Sequence, residues 1–262
     1  MRELSAYGRT LPEAYHEALS KLDKYGTSDY IADWDCMCKE CAMTMVVQKP
    51  LEEPMISKLF IGGPRELEQY RQEMLDGILD FEISRGNWTY TYHDRMVNYP
   101  VFDEYLEAST LDQVRFVIDE LKRNPSSRRA VIVIRDVTID AGNDDPACLQ
   151  NIQYMVRDGK LDCFVLFRSN DAAKATFMNA FALIQLQKRI ADELGVEVGT
   201  YTHRANNFHC YQKDWPMLAG YVQRINNDNI DDITYDYEDD WKDIMEEYQE
   251  DIAEEVEELK RR

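Results

Sequence analysis

The chain has 262 residues, of which 44% are hydrophobic and 31% charged, the make-up of one large globular domain able to bury a substantial core. Its formal net charge of -20 leaves no diffuse basic surface to neutralise a phosphate backbone, which argues against a nucleic-acid polymer as main partner. No apolar run reaches membrane-spanning length and the first residues lack the apolar core of a signal peptide, so a cytoplasmic location is expected and the six cysteines read as reduced thiols.

In chain order, a helix is predicted over Leu11 to Leu22, with Pro12 in its first turn and Leu11, Tyr15, Ala18, Leu19 and Leu22 on one stripe. Cys36, Cys38 and Cys41 offer three thiols at short spacing, but no Cys or His pair follows at finger-like spacing to complete a tetrahedral set, and no structural metal is predicted. Ala42 to Gln48 reads as a strand, and the prolines at 50 and 54 make the segment between them extended or turn-like. Gly62-Gly63-Pro64 opens a helix with Leu67, Tyr70, Met74 and Ile78 on one face. Alternation places Trp88, Tyr90 and Tyr92 on one side of an extended segment, an aromatic wall that by itself reads as structure.

Thr110-Leu-Asp-Gln113 has the form of a capping box opening a helix to Arg123. Ser126-Ser-Arg128-Arg129 then leads into Ala130 to Ile134, an apolar run expected to be a strand buried on both faces. Two guanidiniums beside two hydroxyls at its mouth form a plausible phosphate fork. Leu149 to Arg157 and Lys160 to Ser169 are strand-like runs joined by Asp158-Gly159, a strong two-residue hairpin signal. Counting back from the turn sets Cys148 opposite Ser169, with Arg168 adjacent; a bulge would change the facing but keep the three together. A guanidinium near a thiol favours the thiolate and makes it a nucleophile.

Asn170 to Thr176 is predicted as a loop, and Phe177 to Leu194 as a helix closed by Gly195. Asn179, in its first turn, carries an amide that both donates and accepts, which matches the carbonyl and ring N–H edge of a uracil if it faces the Cys148 site. The Val198 to Arg204 strand precedes His209 and Tyr211, which point the same way in extended backbone and together could hold a sugar hydroxyl.

Pro146-x-Cys148, the hairpin, Arg168-Ser169-x-Asp171, Asn179 and His209-x-Tyr211, preceded by Ser127-Arg128-Arg129, together resemble thymidylate synthase and the related pyrimidine-nucleotide hydroxymethylases. The resemblance covers about Pro125 to Trp215 and implies a mixed α/β fold with a large twisted mixed sheet and flanking helices. It implies reductive methylation of dUMP to dTMP with methylene-tetrahydrofolate, Cys148 adding to ring carbon 6. Arg168 and Ser169 would bind phosphate, Asn179 the uracil edge, His209 and Tyr211 the ribose, and Asp171 the pterin. Arg128 and Arg129 would reach the phosphate across a homodimer interface. The catalytic glutamate would be Glu53, with Glu52 the competing choice, and the tyrosine near carbon 5 would be Tyr92, with Tyr90 a register away.

The chain also departs from the long enzymes of that family. Leu149 follows the nucleophile in place of histidine, Phe167 precedes the arginine in place of glutamine, and Asn207 replaces a usual carboxylate. Residues 237–262, with Trp241, Ile244, Met245, Tyr248, Ile252, Val256 and Leu259 at helical spacing, read as an acidic amphipathic helix appended to a catalytic domain of residues 1–236. This tail replaces the family's short apolar closing segment. A hydroxymethylase acting on dUMP or dCMP is therefore the first alternative, and an idle nucleotide- or partner-binding protein the second.

Overall fold

A computed structural model of the chain describes residues 1–102, 105 and 107–261, so Arg262, the last residue of the predicted tail, lies outside the described residues. In order, the elements are β1 (Glu3–Gly8), α1 (Leu11–Tyr25), β2 (Thr27–Ile31), β3 (Cys36–Val47), β4 (Ile56–Ser57), α2 (Pro64–Asp76), α3 (Phe81–Ser84) and α4 (Tyr92–Val97). There follow β5 (Tyr99–Phe102), β6 (Ala108–Leu111), α5 (Gln113–Arg123), β7 (Val131–Val133), α6 (Val137–Asp140), β8 (Leu149–Arg157), β9 (Lys160–Phe167) and β10 (Asn170–Asp171). The last are α7 (Thr176–Leu194), β11 (Glu197–Tyr211), α8 (Trp215–Asn227), β12 (Thr234–Tyr235) and α9 (Lys242–Arg261).

The main sheet is mixed, in the order β1-β3-β11-β9-β8-β7, with β2 added to β3 and β10 to β11. Its register sorts the side chains into two faces. Ala6, Met45, His203, Val165, Ile152 and Ile132 stand in one row across the strands and are buried, as period-two alternation requires of a covered face. Helices α1 and α7 pack on this face, α2 packs on α7, and α9 on α2. The next row, Tyr7, Val46, Thr202, Phe164, Gln153 and Val131, faces the other way. Tyr7 is exposed and the others are half-buried.

The helices over Leu11–Leu22 and Phe177–Leu194 form within a few residues of expectation, the second closed by Gly195 in the left-handed conformation. Several expectations are corrected. Ile78 lies beyond α2, which stops at Gly77 with φ 64°. Residues 88–91 are irregular and Tyr92 starts a helix, because Thr91 caps it by accepting from the Asp94 N–H at 2.9 Å. The cap of α5 is Asp112, which accepts from the Arg115 N–H, while Thr110 belongs to β6. Strand β7 is an edge strand with Val133 40% exposed, so the apolar run at 130–134 is not buried on both faces. Among the described residues no helix is long and apolar enough to cross a membrane, and no group of three or more His, Cys, Asp or Glu is arranged to hold a metal ion.

Candidate active site

Two extra residues in the ladder determine what faces the cleft. Between Leu149 and Asn151, β8 spends two steps against one on β9, a bulge that reverses facing beyond it. Cys148 therefore stands opposite Arg168 rather than Ser169: the Arg168 N–H donates to the Cys148 carbonyl at 2.8 Å. On β11 the step from Ala205 to Phe208 spans three residues against two on β3. Without that extra residue, His209 and Tyr211 would share the core face with Tyr201 and His203; with it they turn to the other face. Their rings meet edge to face with centroids 4.8 Å apart.

The turned residues line one cavity of about 850 Å³ that also holds Cys148, Arg168, Ser169, Asp171, Asn179, Tyr92 and Tyr70, within the range of nucleotide-sized sites. Ser169 Oγ lies 3.4 Å from His209 Nδ1. Asp171 is held by its own turn, Oδ1 accepting from the Ala173 and Lys174 N–H groups at 3.0 Å each. Asn179 Oδ1 accepts the Tyr70 hydroxyl. The Tyr92 hydroxyl accepts from the Leu149 N–H at 3.4 Å, which sets it beside the cysteine's backbone. Tyr90 does not line this cavity.

The electrostatics run against a ready-made thiolate. Burial pushes the Cys148 thiol up; Arg168 pulls it down and Asp145 pushes it up. Arg168 is partly engaged elsewhere, donating to the Pro146 carbonyl at 2.6 Å and the Ala147 carbonyl at 3.2 Å. Burial also lowers the His209 pKa, so that ring is neutral at pH 7. Among the described residues, against one lining guanidinium stand the carboxylates of Asp33, Glu40, Asp144, Asp145 and Asp171. Glu40 is positioned by Asn207, whose Nδ2 donates to it at 2.6 Å. Glu40, on the neighbouring strand β3, thus stands beside Asn207 in the cavity wall.

Three predicted residues lie elsewhere. Arg128 and Arg129 are exposed and do not line the cavity; Arg129 pairs with Glu120 at 3.0 Å. Glu53 is also absent from the lining. Its carboxylate accepts from the N–H groups of Met55 at 2.7 Å, Tyr237 at 2.8 Å and Glu238 at 3.1 Å, which caps the start of the tail. The competing Glu52 pairs with Arg9.

A second cavity, of about 440 Å³, adjoins the first and shares Tyr70, Tyr92 and Asp145 with it. Trp88 and Tyr90 also line it, together with Glu73. Glu73 follows Tyr70 by one helical turn, so both project from the same face of α2. Burial holds its carboxyl above the usual range against the lowering effect of the hydrogen bond from Gln69 Nε2, 2.9 Å from Oε1. Tyr70, Glu73 and Glu40 were missed from the sequence. The helical spacing that placed Tyr70 on an apolar face carried the only signal, and it read as core.

The family model for thymidylate synthase matches residues 63–257. A Methanocaldococcus jannaschii protein described as "Putative thymidylate synthase" is 31% identical over 221 residues, 81% of this chain and 93% of its own. A Methanosarcina barkeri protein with the same description is 28% identical over 224 residues, covering 83% and 94% of the two chains. The solved thermostable thymidylate synthase A of Bacillus subtilis superposes with a TM-score of 0.63 at 19% identity, over 82% of this chain and 84% of the other, a likeness of fold. The chain belongs to the thymidylate synthase family.

Proposed function

We propose that the protein is a methyltransferase that converts dUMP to dTMP with methylene-tetrahydrofolate. The observation that carries this reading is the convergence of Cys148, Arg168, Asn179 and Tyr92 on one cavity. In it the Cys148 thiolate adds to ring carbon 6 of the pyrimidine, and the electron pair displaced to carbon 5 attacks the one-carbon unit; loss of the carbon 5 proton breaks the bond from the one-carbon unit to the folate nitrogen, and hydride transfer to that unit then expels the Cys148 thiolate. Asn179 reads the uracil edge, His209 and Tyr211 hold the ribose hydroxyl, and Arg168 and Ser169 hold the phosphate. Methylene-tetrahydrofolate supplies the carbon and the hydride. The aromatic second cavity suits a flat pterin against Trp88 and Tyr90, and Asp171 would bind the cosubstrate from the wall of the first cavity. Tyr92, on the wall of the same cavity as Cys148, takes the role of the tyrosine beside the carbon 5 proton. Glu53, spent on capping the tail, gives up the acid–base role to Glu73.

The surplus of carboxylates in the cavity makes a phosphate unwelcome in a single chain. A homodimer answers this if its partner copy brings Arg128 and Arg129 to the phosphate, and the open sheet row from Tyr7 to Val131 offers a surface for the second copy. Phe164→Lys, at the middle of that row, is expected to yield monomers by sedimentation and to weaken dUMP binding more than deoxyuridine binding. Equal losses for the two ligands would separate dimerisation from phosphate capture.

One observation favours a second reading, a hydroxymethylase for dUMP or dCMP. No described residue from 237 onward lines either cavity, so the tail does not shield the site from water. The mass of the nucleotide formed from dUMP and methylene-tetrahydrofolate decides: a methyl product with dihydrofolate supports methylation, and a hydroxymethyl product with tetrahydrofolate replaces it.

A further inference from the structure

The tail is attached to the body along its whole length. Glu53 caps its start through the Tyr237 and Glu238 N–H groups, and Trp241 and Met245 are buried in the main core. Arg65 pairs with Glu255 farther along. Ile252 and Val256 form a separate apolar cluster with Leu79, joined by Phe81 and Leu259. In the last turn of α9, Arg85 donates to the Leu259 carbonyl at 2.6 Å and to the Lys260 carbonyl, satisfying two carbonyls of that turn.

What α9 grips is the segment that walls the second cavity. Leu79, Asp80, Asn87, Trp88 and Tyr90 line that cavity, and the segment from 85 to 91 has no regular secondary structure of its own. Its shape is relayed through Glu82. That carboxylate accepts from Arg85 at 3.2 Å, and its backbone carbonyl accepts from the N–H groups of Asn87 at 3.1 Å and Trp88 at 3.4 Å. Arg85 thus connects the tail on one side to the tryptophan turn on the other.

We infer that α9 is a clamp that holds residues 78–91 in place and thereby sets the affinity of the second cavity for the folate cosubstrate, with Arg85 as a positioning residue. The cosubstrate part rests on the proposed function; the clamp itself does not. Backbone outside helix and sheet ladders opens locally at lower cost than the core, and fixing it beforehand removes that cost from binding.

The test compares full-length wild type with Arg85→Ala, Arg85→Lys and Ile252→Ala by hydrogen exchange and steady-state kinetics. Both alanine variants are expected to speed exchange across 78–91 about tenfold while α7 keeps its protection, and to raise KM for methylene-tetrahydrofolate by about tenfold, with KM for dUMP and kcat within about twofold. Arg85→Lys, which keeps a donor for the α9 carbonyls, is expected to recover most of the loss. Unchanged exchange across 78–91 in both alanine variants overturns the clamp. Faster exchange with an unchanged cosubstrate KM overturns its link to binding. A wild type without turnover removes the proposed function, and exchange alone then decides whether α9 holds the wall.

Discussion

The Tyr70 hydroxyl donates to Oδ1 of Asn179, linking α2 to the first turn of α7 inside the cavity. Burial keeps the phenol protonated far above neutral pH, so it acts as a donor. With Oδ1 so engaged, the amide orientation is set and its N–H pair is left for a ligand carbonyl. Tyr70→Phe would free the amide to turn its oxygen to the amino group of a cytosine. Preference for dUMP over dCMP is then expected to fall about tenfold, the worth of one hydrogen bond. The ratio of kcat/KM for the two nucleotides measures this, and an unchanged ratio would show that the phenol does not orient the amide.

The Cys148 thiol sits under opposing charges, Arg168 lowering its pKa and Asp145 raising it, on top of the raise from burial. The reactive thiolate therefore grows as pH rises through a value above the ordinary thiol range. Asp145→Asn removes a raising charge and is expected to speed alkylation of Cys148 near neutral pH by about threefold, while Arg168→Ala slows it. Asp145 is 93% exposed, so its effect should shrink in high salt. Iodoacetamide labelling followed by peptide mass spectrometry separates Cys148 from Cys36, the other half-buried cysteine. Equal rates for wild type and Asp145→Asn at low salt would remove Asp145 from the account.

Local signals in the sequence carried the elements well where one physical requirement dominated. Asp158 and Gly159 need positive φ and have it, at 49° and 74°, so the hairpin and the Arg157–Lys160 pairing were legible. The facing of Cys148 was not, because the bulge at Gln150 has no sequence signature comparable to a turn. Trp88 to Tyr92 failed for a different reason: period-two aromatics suggest a strand, but the Thr91 side chain offers the backbone a helix cap instead. Glu53 shows the limit for site residues. Nothing local distinguishes a carboxylate that takes part in catalysis from one that caps a segment almost two hundred positions away.

Glu73 is the carboxyl in the second cavity whose burial raises its pKa toward the range useful for proton transfer. Glu73→Gln keeps the shape and the partner at Gln69 but cannot exchange a proton. Turnover is expected to drop about a hundredfold with dUMP binding within about twofold. Glu53→Gln is expected instead to lower the melting temperature, since three backbone N–H groups lose a charged acceptor. Isothermal titration, kcat and thermal unfolding of the two variants test the assignment. A larger loss of kcat in Glu53→Gln than in Glu73→Gln would return the acid–base role to Glu53.

Buried histidines set the acid side of stability. Burial, with a smaller push from Arg224, lowers His16 to about 4, and burial lowers His203 to about 3. His203 is fixed as a neutral ring: Nδ1 lies 3.0 Å from the Tyr201 hydroxyl and Nε2 2.9 Å from Asn170 Oδ1. An amide oxygen only accepts, so with Oδ1 facing it Nε2 carries the hydrogen and Nδ1 accepts from the Tyr201 hydroxyl. Once unfolded, both rings regain an ordinary pKa of about 6.5. Below that pH the unfolded chain takes up protons that the folded chain refuses. Their contribution is full above about pH 6.5 and falls as pH drops toward 4, by about 2 kcal/mol for each ring at pH 5. Most carboxylates titrate below this window. Urea unfolding between pH 7 and 5 should therefore show stability falling with a slope approaching about two protons, and up to three if His209, also lowered, stays neutral throughout. A flat profile over that range would mean that the buried rings accept protons without unfolding.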